Sequence, residues 1–318
     1  MIGQTLSSMI FRSWNLASLF GLTKYLHSSC CQCLRSSVLS TVPVKLAYAS
    51  YESLNESENA KNPVIIMHGL FGSKNNWNSL SKAIHQKTKR KIIAVDARNH
   101  GDSPHSSNMS YKDMAEDMIQ LLIDLDLKKV VLVGHSMGGS AMMYTALNFP
   151  QYVEKLVVVD MSPVRTSPSL LQMVKIFEAM RLVTVDGSPT LSKARKVVDQ
   201  QLAQSIKSTS LRQFLMTNLI EADKGKFKWR VNLPVLEQAF ATQIAVFPDV
   251  NSKFFAGPTL FIGGGNSDYI QLKDHEAIKK LFPSVKFCYI DGADHWVHAD
   301  KPIEFVELLT DFINRVNL

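Results

Sequence analysis

Cysteine is scarce in this chain of 318 residues, which contains only four. Cys30, Cys31 and Cys33 lie close together near the amino terminus, and Cys288 stands alone in the rest of the chain. A body with one cysteine cannot build an internal disulfide framework. The amino-terminal cluster has no neighbouring group of histidines or further cysteines, so the sequence predicts no metal site there.

Long apolar runs and amino-terminal acidic residues are also missing. No run of about 20 apolar residues occurs, so no transmembrane helix is predicted. Residues 1–51 contain no Asp or Glu, while Arg12, Lys24, Arg35 and Lys45 carry positive charge. The rest of the chain contains 31 basic and 28 acidic residues, which gives it a net charge of +3. The basic excess is therefore largely amino-terminal and does not indicate a nucleic-acid partner.

Residues 1–41 have the composition of an organellar transit peptide. They are rich in serine, free of acidic residues and dotted with spaced Arg and Lys. We interpret them as a mitochondrial presequence that is removed, which predicts a mitochondrial protein, located in the matrix. A secretory signal or an amphipathic membrane anchor is the alternative, although Arg12 and Lys24 interrupt the apolar stretch.

From residue 42 onward, short apolar runs alternate with helical patterns. The runs end in Gly, Asp or Ser, which is typical of buried parallel strands, and they cover residues 63–69, 91–101, 129–136, 154–160, 258–264 and 285–292. Helical spacing of apolar residues appears between them, for example after Ser110, which we predict to cap a helix. This alternation predicts an α/β fold with a mostly parallel central sheet and helices on both faces.

The alternation stops in residues 162–252, called the inserted segment below. Its apolar residues repeat at helical spacing, with no strand run of the earlier kind. We interpret it as a helical cap over the carboxyl edge of the sheet, where open α/β folds bind ligands, which divides the core into residues 42–161 and 253–318. An independent helical domain is the alternative. Some of its side chains either line an acyl pocket or serve ordinary packing: Met173, Phe177, Met180, Phe214 and Met216.

The sequence GHSMG, residues 134–138, places a serine between a strand and a helix. This G-x-S-x-G pattern is typical of a nucleophile elbow, in which a sharp turn exposes the serine hydroxyl. Ser136 is therefore the predicted nucleophile. The same turn directs the Met137 N–H toward a developing oxyanion, and the helix that begins there adds its positive end.

A base and a second oxyanion donor are predicted from two other loops. His295, in GADHWVHADKP, follows the last strand run and is the predicted base, with His298 as the alternative. The loop HGLFGS follows the first strand run, and the Leu70 N–H is the predicted partner of the Met137 N–H. His68 is expected to hold that loop by hydrogen bonds, and DARNHGDS, residues 96–103, to stabilise a turn.

These motifs together resemble the α/β-hydrolase superfamily over about residues 42–316. More narrowly, five motifs are similar to those of the α/β-hydrolase domain-containing protein eleven group and related bacterial esterases. They are HGLFGSKNNW, DARNHGDSPHS, GHSMGG, VVVDMSPV and GADHWVHADKP. The resemblance implies a mitochondrial serine hydrolase of lipid esters, with diacylglycerol among its substrates. It also implies an association with the mitochondrial 2-oxoglutarate dehydrogenase complex.

Two aspartates fit the position of the acid, which in this fold follows the serine and precedes the histidine. Asp160 ends the strand after the elbow helix and matches the position that the resemblance to the bacterial esterases implies. Asp268 follows the next strand, at the commoner superfamily position. We favour Asp160, because Ser162 and Pro163 set a turn that aims it toward His295, and keep Asp268 as the alternate acid.

The predicted function is that of a carboxylic ester hydrolase, an acylglycerol lipase that works through an acyl-enzyme without metal, nucleotide or redox cofactor. A thioesterase or amidase with the same triad is the second hypothesis, because the fold does not fix the leaving group. The third is a non-catalytic mitochondrial binding partner of a metabolic enzyme complex.

Overall fold

The computed structural model describes residues 42–53, 61–185, 190–250 and 252–315. The predicted transit peptide, residues 1–41, lies outside these residues. Within them, no helix is both long and apolar enough to cross a bilayer.

A seven-stranded sheet forms the centre of the described chain. It consists of β1 (Tyr48–Tyr51), β2 (Val64–Met67), β3 (Ile92–Val95), β4 (Val130–His135), β5 (Val153–Val159), β8 (Thr259–Gly264) and β9 (Val285–Ile290). These strands lie side by side in the order β1, β3, β2, β4, β5, β8 and β9. All neighbours pair in parallel except β1, which runs antiparallel to β3 at one edge. The mostly parallel sheet predicted from the sequence is confirmed.

Apolar side chains on both faces of the central strands are covered by helices. The helices of the core are α1 (Asn78–Thr88), α2 (Tyr111–Asp124), α3 (Met137–Asn148), α8 (His275–Leu281), α9 (Val297–Asp300) and α10 (Pro302–Asn314). Helices α1 and α10 pack over one face, where Ile84 and Phe305 meet Val64 and Val133. Helix α3 covers the other face, where Gly139 lies against Val158. This double coverage explains why the strands read as continuous apolar runs.

The inserted segment joins β5 to β8. It contains α4 (Met173–Arg181), α5 (Leu191–Ser205), α6 (Thr209–Met216) and α7 (Leu233–Ala239), together with a hairpin of β6 (Leu219–Asp223) and β7 (Lys226–Trp229). The hairpin differs from the all-helical expectation. Helix α6 ends at Met216, and the chain then pairs Leu219 with Trp229 across a turn that contains Gly225, whose φ is +74°.

Candidate active site

Ser136 occupies the tight turn between β4 and α3. Its backbone has φ 53° and ψ −120°, an unusual conformation for a residue with a side chain. A methyl group on Gly134 would lie 2.2 Å from the Gly138 carbonyl oxygen, and one on Gly138 would lie 2.5 Å from the carbonyl oxygens of Met67 and His68. Both flanking glycines are therefore required for β4 and α3 to meet at this angle.

Three side chains from three separate loops are joined by hydrogen bonds. His295 Nε2 lies 3.0 Å from Ser136 Oγ, and His295 Nδ1 lies 2.7 Å from Asp160 Oδ2. A carboxylate can only accept, so Nδ1 carries the proton and Nε2 is left to accept the serine hydroxyl. The turns after β4, β5 and β9 thus bring together the predicted serine, acid and histidine at the carboxyl edge of the sheet.

Asp160 is held in place by groups other than the histidine. Its side chain has no exposed surface, and its backbone has a φ of +50°. The Gly264 N–H donates to Oδ1 at 3.1 Å, and the Ser267 hydroxyl donates to Oδ2 at 2.5 Å. These donors fix the direction in which the carboxylate faces His295. Ser267 was not singled out from the sequence.

Asp268 points into a different network. It accepts the Ser167 hydroxyl at 2.5 Å and the Ser169 N–H at 3.3 Å, both from the start of the inserted segment. Burial raises the pKa of Asp268, but the hydrogen bonds from Ser167 and Ser169 bring it below its usual value. Of the two candidate acids, the structure brings Asp160 to His295 and places Asp268 as a brace between core and inserted segment.

The two predicted oxyanion donors border the same cavity. Leu70 and Met137 both line it next to Ser136. Among the described residues, neither backbone N–H donates to a backbone acceptor. These amides are therefore free to donate to a ligand oxygen above the serine.

The loop that carries Leu70 is fixed by neutral histidines. His68 donates from Nδ1 to the Gly69 carbonyl at 2.8 Å and accepts the Ala97 N–H at Nε2. His100 accepts the Phe71 N–H in the same way, at 3.2 Å. Burial lowers the pKa of His68, and it lowers that of His100 to about 3, so both rings keep an acceptor nitrogen at neutral pH. His68 thus holds the loop as predicted.

Two more histidines lie near the proposed base. His135 donates from Nε2 to the backbone carbonyl of His295 at 2.9 Å, and burial lowers its pKa well below the usual value. His298 stacks on Trp77, with ring centroids 4.3 Å apart and planes 9° from parallel. Burial lowers the pKa of His298 to about 3. His298, the alternative base, stacks on Trp77, and the imidazole that accepts the Ser136 hydroxyl is that of His295.

An aromatic ring covers the face of the proposed base. Tyr269 stacks on His295, with centroids 3.7 Å apart and planes 16° from parallel. Burial raises the pKa of Tyr269, so the ring remains neutral while it restricts rotation of the imidazole. Sequence reasoning missed this contact, although Tyr269 is the direct neighbour of Asp268, which was singled out.

A cavity of about 280 Å³ opens above Ser136. Its wall is mostly apolar and is shared by the core and the inserted segment, with contributions from Met161, Leu170, Met173, Ile176, Leu211, Phe214, Ile244 and Trp296. Met173 and Phe214 thus line a pocket, whereas Phe177 packs against Phe71 with ring centroids 5.0 Å apart. Within the described residues, no group of three or more metal-ligating side chains is placed to hold an ion.

Comparison with known proteins places this geometry in a family. The alpha/beta hydrolase fold family matches residues 62–302. The chain is 45% identical to the "sn-1-specific diacylglycerol lipase ABHD11" of Mus musculus, over 85% of this chain and 86% of the mouse protein. The Danio rerio protein of the same name is 42% identical, over 85% of this chain and 83% of its own length.

A solved structure agrees with these relatives. The structure described as "Marine microorganism esterase" superimposes with a TM-score of 0.76 at 33% identity, covering 85% of this chain and 99% of that one. The chain therefore belongs to the α/β-hydrolase family, which confirms the resemblance drawn from its motifs. Within that family it is a carboxylic ester hydrolase, the enzyme class that the sequence predicts.

Proposed function

We propose that this chain hydrolyses an acyl ester of diacylglycerol, with Ser136 as nucleophile, His295 as base and Asp160 as acid. One observation carries the proposal: hydrogen bonds join Asp160 to His295 and His295 to Ser136, and the serine and the histidine line a mostly apolar cavity. This arrangement matches the roles needed for nucleophilic catalysis on a carbonyl group.

In the first half of the reaction, His295 Nε2 takes the proton of Ser136 as its Oγ attacks the ester carbonyl. Asp160 stabilises the imidazolium that forms and keeps Nδ1 protonated. The N–H groups of Leu70 and Met137 receive the negative charge on the carbonyl oxygen, and each such donor lowers the barrier by about 3 kcal/mol. The tetrahedral intermediate then collapses, because His295 returns its proton to the departing glycerol oxygen.

In the second half, water attacks the acyl-serine ester. His295 again takes a proton, this time from water, and hands it to Ser136 Oγ as the fatty acid leaves. Protons balance in each half of the reaction, since the proton that His295 removes from the nucleophile is given to the leaving group.

The choice of diacylglycerol rests on the cavity and on the vertebrate relatives. At about 280 Å³ the cavity is at the small end for ligand sites, so it suits one acyl arm of the substrate. The other chain then extends toward the inserted segment, residues 162–252, which we propose as a cap on a core formed by residues 42–161 and 253–318. The names of the mouse and zebrafish proteins as diacylglycerol lipases support the same substrate class.

Covalent labelling by a fluorophosphonate tests the nucleophile and the acid. The parent chain is compared with Ser136→Ala, Asp160→Asn and Asp268→Asn. We expect no labelling without Ser136, much slower labelling for Asp160→Asn and parent-like labelling for Asp268→Asn. A parent chain that does not label would overturn the proposal and favour a non-catalytic binding partner.

Substrate class is tested separately by turnover. Diacylglycerol, an acyl thioester and an acyl amide with the same acyl chain are compared at equal concentration. The proposal expects the highest kcat/KM for diacylglycerol. A higher value for the thioester or the amide would keep the triad but reassign the substrate.

We also propose a mitochondrial matrix location, on the basis of the acid-free composition of residues 1–41. A fluorescent fusion of the full chain should reach mitochondria, and one that lacks residues 1–41 should not. Association with the 2-oxoglutarate dehydrogenase complex stays a prediction of the family resemblance.

A further inference from the structure

Charge is distributed unevenly between the core and the inserted segment. Residues 162–252 contain 12 basic and 7 acidic residues, whereas the rest of the chain from residue 42 contains 20 basic and 21 acidic residues. The positive excess of the body therefore belongs to the inserted segment, which also forms part of the cavity wall above Ser136.

Much of this charge lies on two neighbouring helices. Lys175 on α4 and Lys193 and Lys196 on α5 are exposed, and within the described residues none of them pairs with a carboxylate. Four arginines of the segment do lie in ion pairs, as in the pair of Arg212 with Asp199 at 2.7 Å. Free ammonium groups at this density favour a negatively charged partner.

The same helix faces expose apolar side chains. Val174 is 57% exposed and Leu182 is 63% exposed, with the acidic Glu178 between them at the same helical spacing. On α5, Val197 is 37% exposed beside Lys196, one turn from Lys193. An amphipathic surface that mixes Lys with apolar side chains is typical of contact with a bilayer of anionic lipid.

Both helices are packed so that these faces point outward. Ile176 and Phe177 of α4, and Ala194 and Val198 of α5, are buried, and the two helices contact each other. Because the two helices contact each other, we treat their solvent sides as one surface, called the α4–α5 face, which carries three lysines and one glutamate: Val174, Lys175, Glu178, Leu182, Lys193, Lys196 and Val197.

The α4–α5 face shares helix α4 with the wall of the cavity. Met173 and Ile176 lie on α4 next to Val174 and Lys175, and both line the cavity above the serine. We propose that the α4–α5 face docks on an anionic lipid bilayer, from which the acyl chain of the substrate passes along α4 into the cavity. This inference rests on the proposed hydrolysis of a lipid ester and adds where the lipid is met.

Vesicle flotation tests the proposal with the full chain. The probes are vesicles of phosphatidylcholine alone and vesicles with equal amounts of phosphatidylcholine and phosphatidylglycerol. One variant combines Lys193→Glu with Lys196→Glu, and its matched control combines Lys82→Glu with Lys112→Glu, two exposed lysines of α1 and α2. Turnover of a short, water-soluble ester is measured in parallel, so that loss of docking is distinguished from loss of the hydrolase itself.

We expect the parent to bind the anionic vesicles and to lose binding at high salt. The α5 variant should bind about 25-fold more weakly or worse, from about fivefold per lysine, while the matched control binds like the parent. A second pair, Val174→Ser with Leu182→Ser against Ile303→Ser on α10, should weaken binding several-fold in the first case only. Turnover of the short ester should stay at the parent level in all of these variants.

Three results would overturn the docking surface. Parent-like binding by the α5 variant would show that these lysines do not meet lipid. An equal loss in the matched control would mean that net charge alone drives binding. No vesicle binding by a parent that still turns over the short ester would leave the proposed hydrolase intact and make an acidic protein the candidate occupant of the α4–α5 face.

Discussion

The sheet and the inserted segment bury their apolar side chains in different ways. In β2 and β4 every residue is buried, and Val64, Ile65 and Val133 have no exposed surface at all. Helix α5 buries one stripe, Ala194, Val198 and Leu202, and its other residues are partly or fully exposed. From this difference in burial we expect the strands, which are covered on both faces, to shift less readily than a helix that is held along one stripe.

The site is divided along the same line. Ser136, Asp160 and His295 follow strands of the sheet, and the inserted segment contributes none of them. It contributes cavity wall instead, such as Met173 and Phe214. The sheet therefore positions the three side chains of the proposed triad, and we expect the inserted segment, which lines the cavity, to select the substrates that reach them.

The largest expected effect separates two aspartates that differ in which region they serve. Asp160→Asn should lower kcat about 10⁴-fold, because an amide beside Nδ1 no longer selects the tautomer that accepts the serine proton. Asp268→Asn should change kcat by less than about tenfold, since its partners are Ser167 and Ser169 of the inserted segment. Steady-state kinetics on a short ester measures both, with circular dichroism as the control for folding. Equal losses would contradict the assignment of the acid.

A second comparison sets two glycines against each other. Gly134→Ala should destabilise the protein by about 3 kcal/mol and abolish labelling of Ser136, because its methyl group meets the Gly138 backbone oxygen at 2.2 Å. Gly225→Ala, in the hairpin turn of the inserted segment, should cost about 1 kcal/mol through its positive φ and leave labelling intact. Urea unfolding and fluorophosphonate labelling together measure the difference. Labelling of Gly134→Ala at the parent rate would refute the geometric argument.

The same division explains what could be predicted from the sequence. Strands inside the sheet appear in the sequence as apolar runs, and each of the six predicted runs contains a strand. β1 was missed because its four residues, YASY, lie at the edge of the sheet and are not a buried run. The β6–β7 hairpin was missed because Leu219 and Ile220 continue the helical spacing of α6. The residues from Asp223 to Gly225 favour a turn, and this pattern could have indicated the hairpin.

In the site, local patterns predicted the nucleophile and the base, and favoured Asp160 as the acid without excluding Asp268. Asp160 and Asp268 each follow a strand, and only partners distant in sequence distinguish them. Asp160 meets Ser267 and Gly264 more than 100 positions away, and His135 meets the His295 carbonyl 160 positions away. Such contacts depend on strand order, which no short motif encodes.

A third test concerns the stability of the protein at low pH. The inserted segment contains no histidine, whereas the core buries several. Burial lowers the pKa of His298 to about 3, so the folded protein keeps this ring neutral at pH 5, where the unfolded chain protonates it near its usual pKa of about 6.5. The unfolded state then binds more protons, and the free energy of unfolding falls as pH drops from 7 to 5.

Between pH 7 and pH 5, the free energy of unfolding of His298→Gln should fall by about 2 kcal/mol less than that of the parent. This difference is separate from the stability that the variant loses at pH 7 because the stack on Trp77 is missing. Urea unfolding of parent and variant at pH 7, 6 and 5 gives the two slopes. An unchanged slope would mean that His298 binds a proton in the folded protein as readily as in the unfolded one.

The smallest effect concerns the contribution of the inserted segment to specificity. Phe214 lines the cavity and meets Trp296 edge to face at 6.0 Å, whereas Phe247, in the same segment, lies against Tyr111 and does not line the cavity. Phe214→Ala should lower kcat/KM for a long-chain ester by about tenfold, because part of the acyl chain loses apolar contact, and leave a short ester nearly unchanged. Phe247→Ala is the control and should not change this chain-length preference.

If Phe214→Ala instead lowers kcat for both esters alike, the inserted segment reaches into the chemistry, and the separation between a catalytic sheet and a substrate-selecting segment fails. If the loss grows with the length of the acyl chain, Phe214 acts on binding alone. The relay of Asp160, His295 and Ser136 then operates at the same rate beneath whatever wall the inserted segment provides, which is the behaviour expected when catalytic groups and substrate contacts are built on elements of different rigidity.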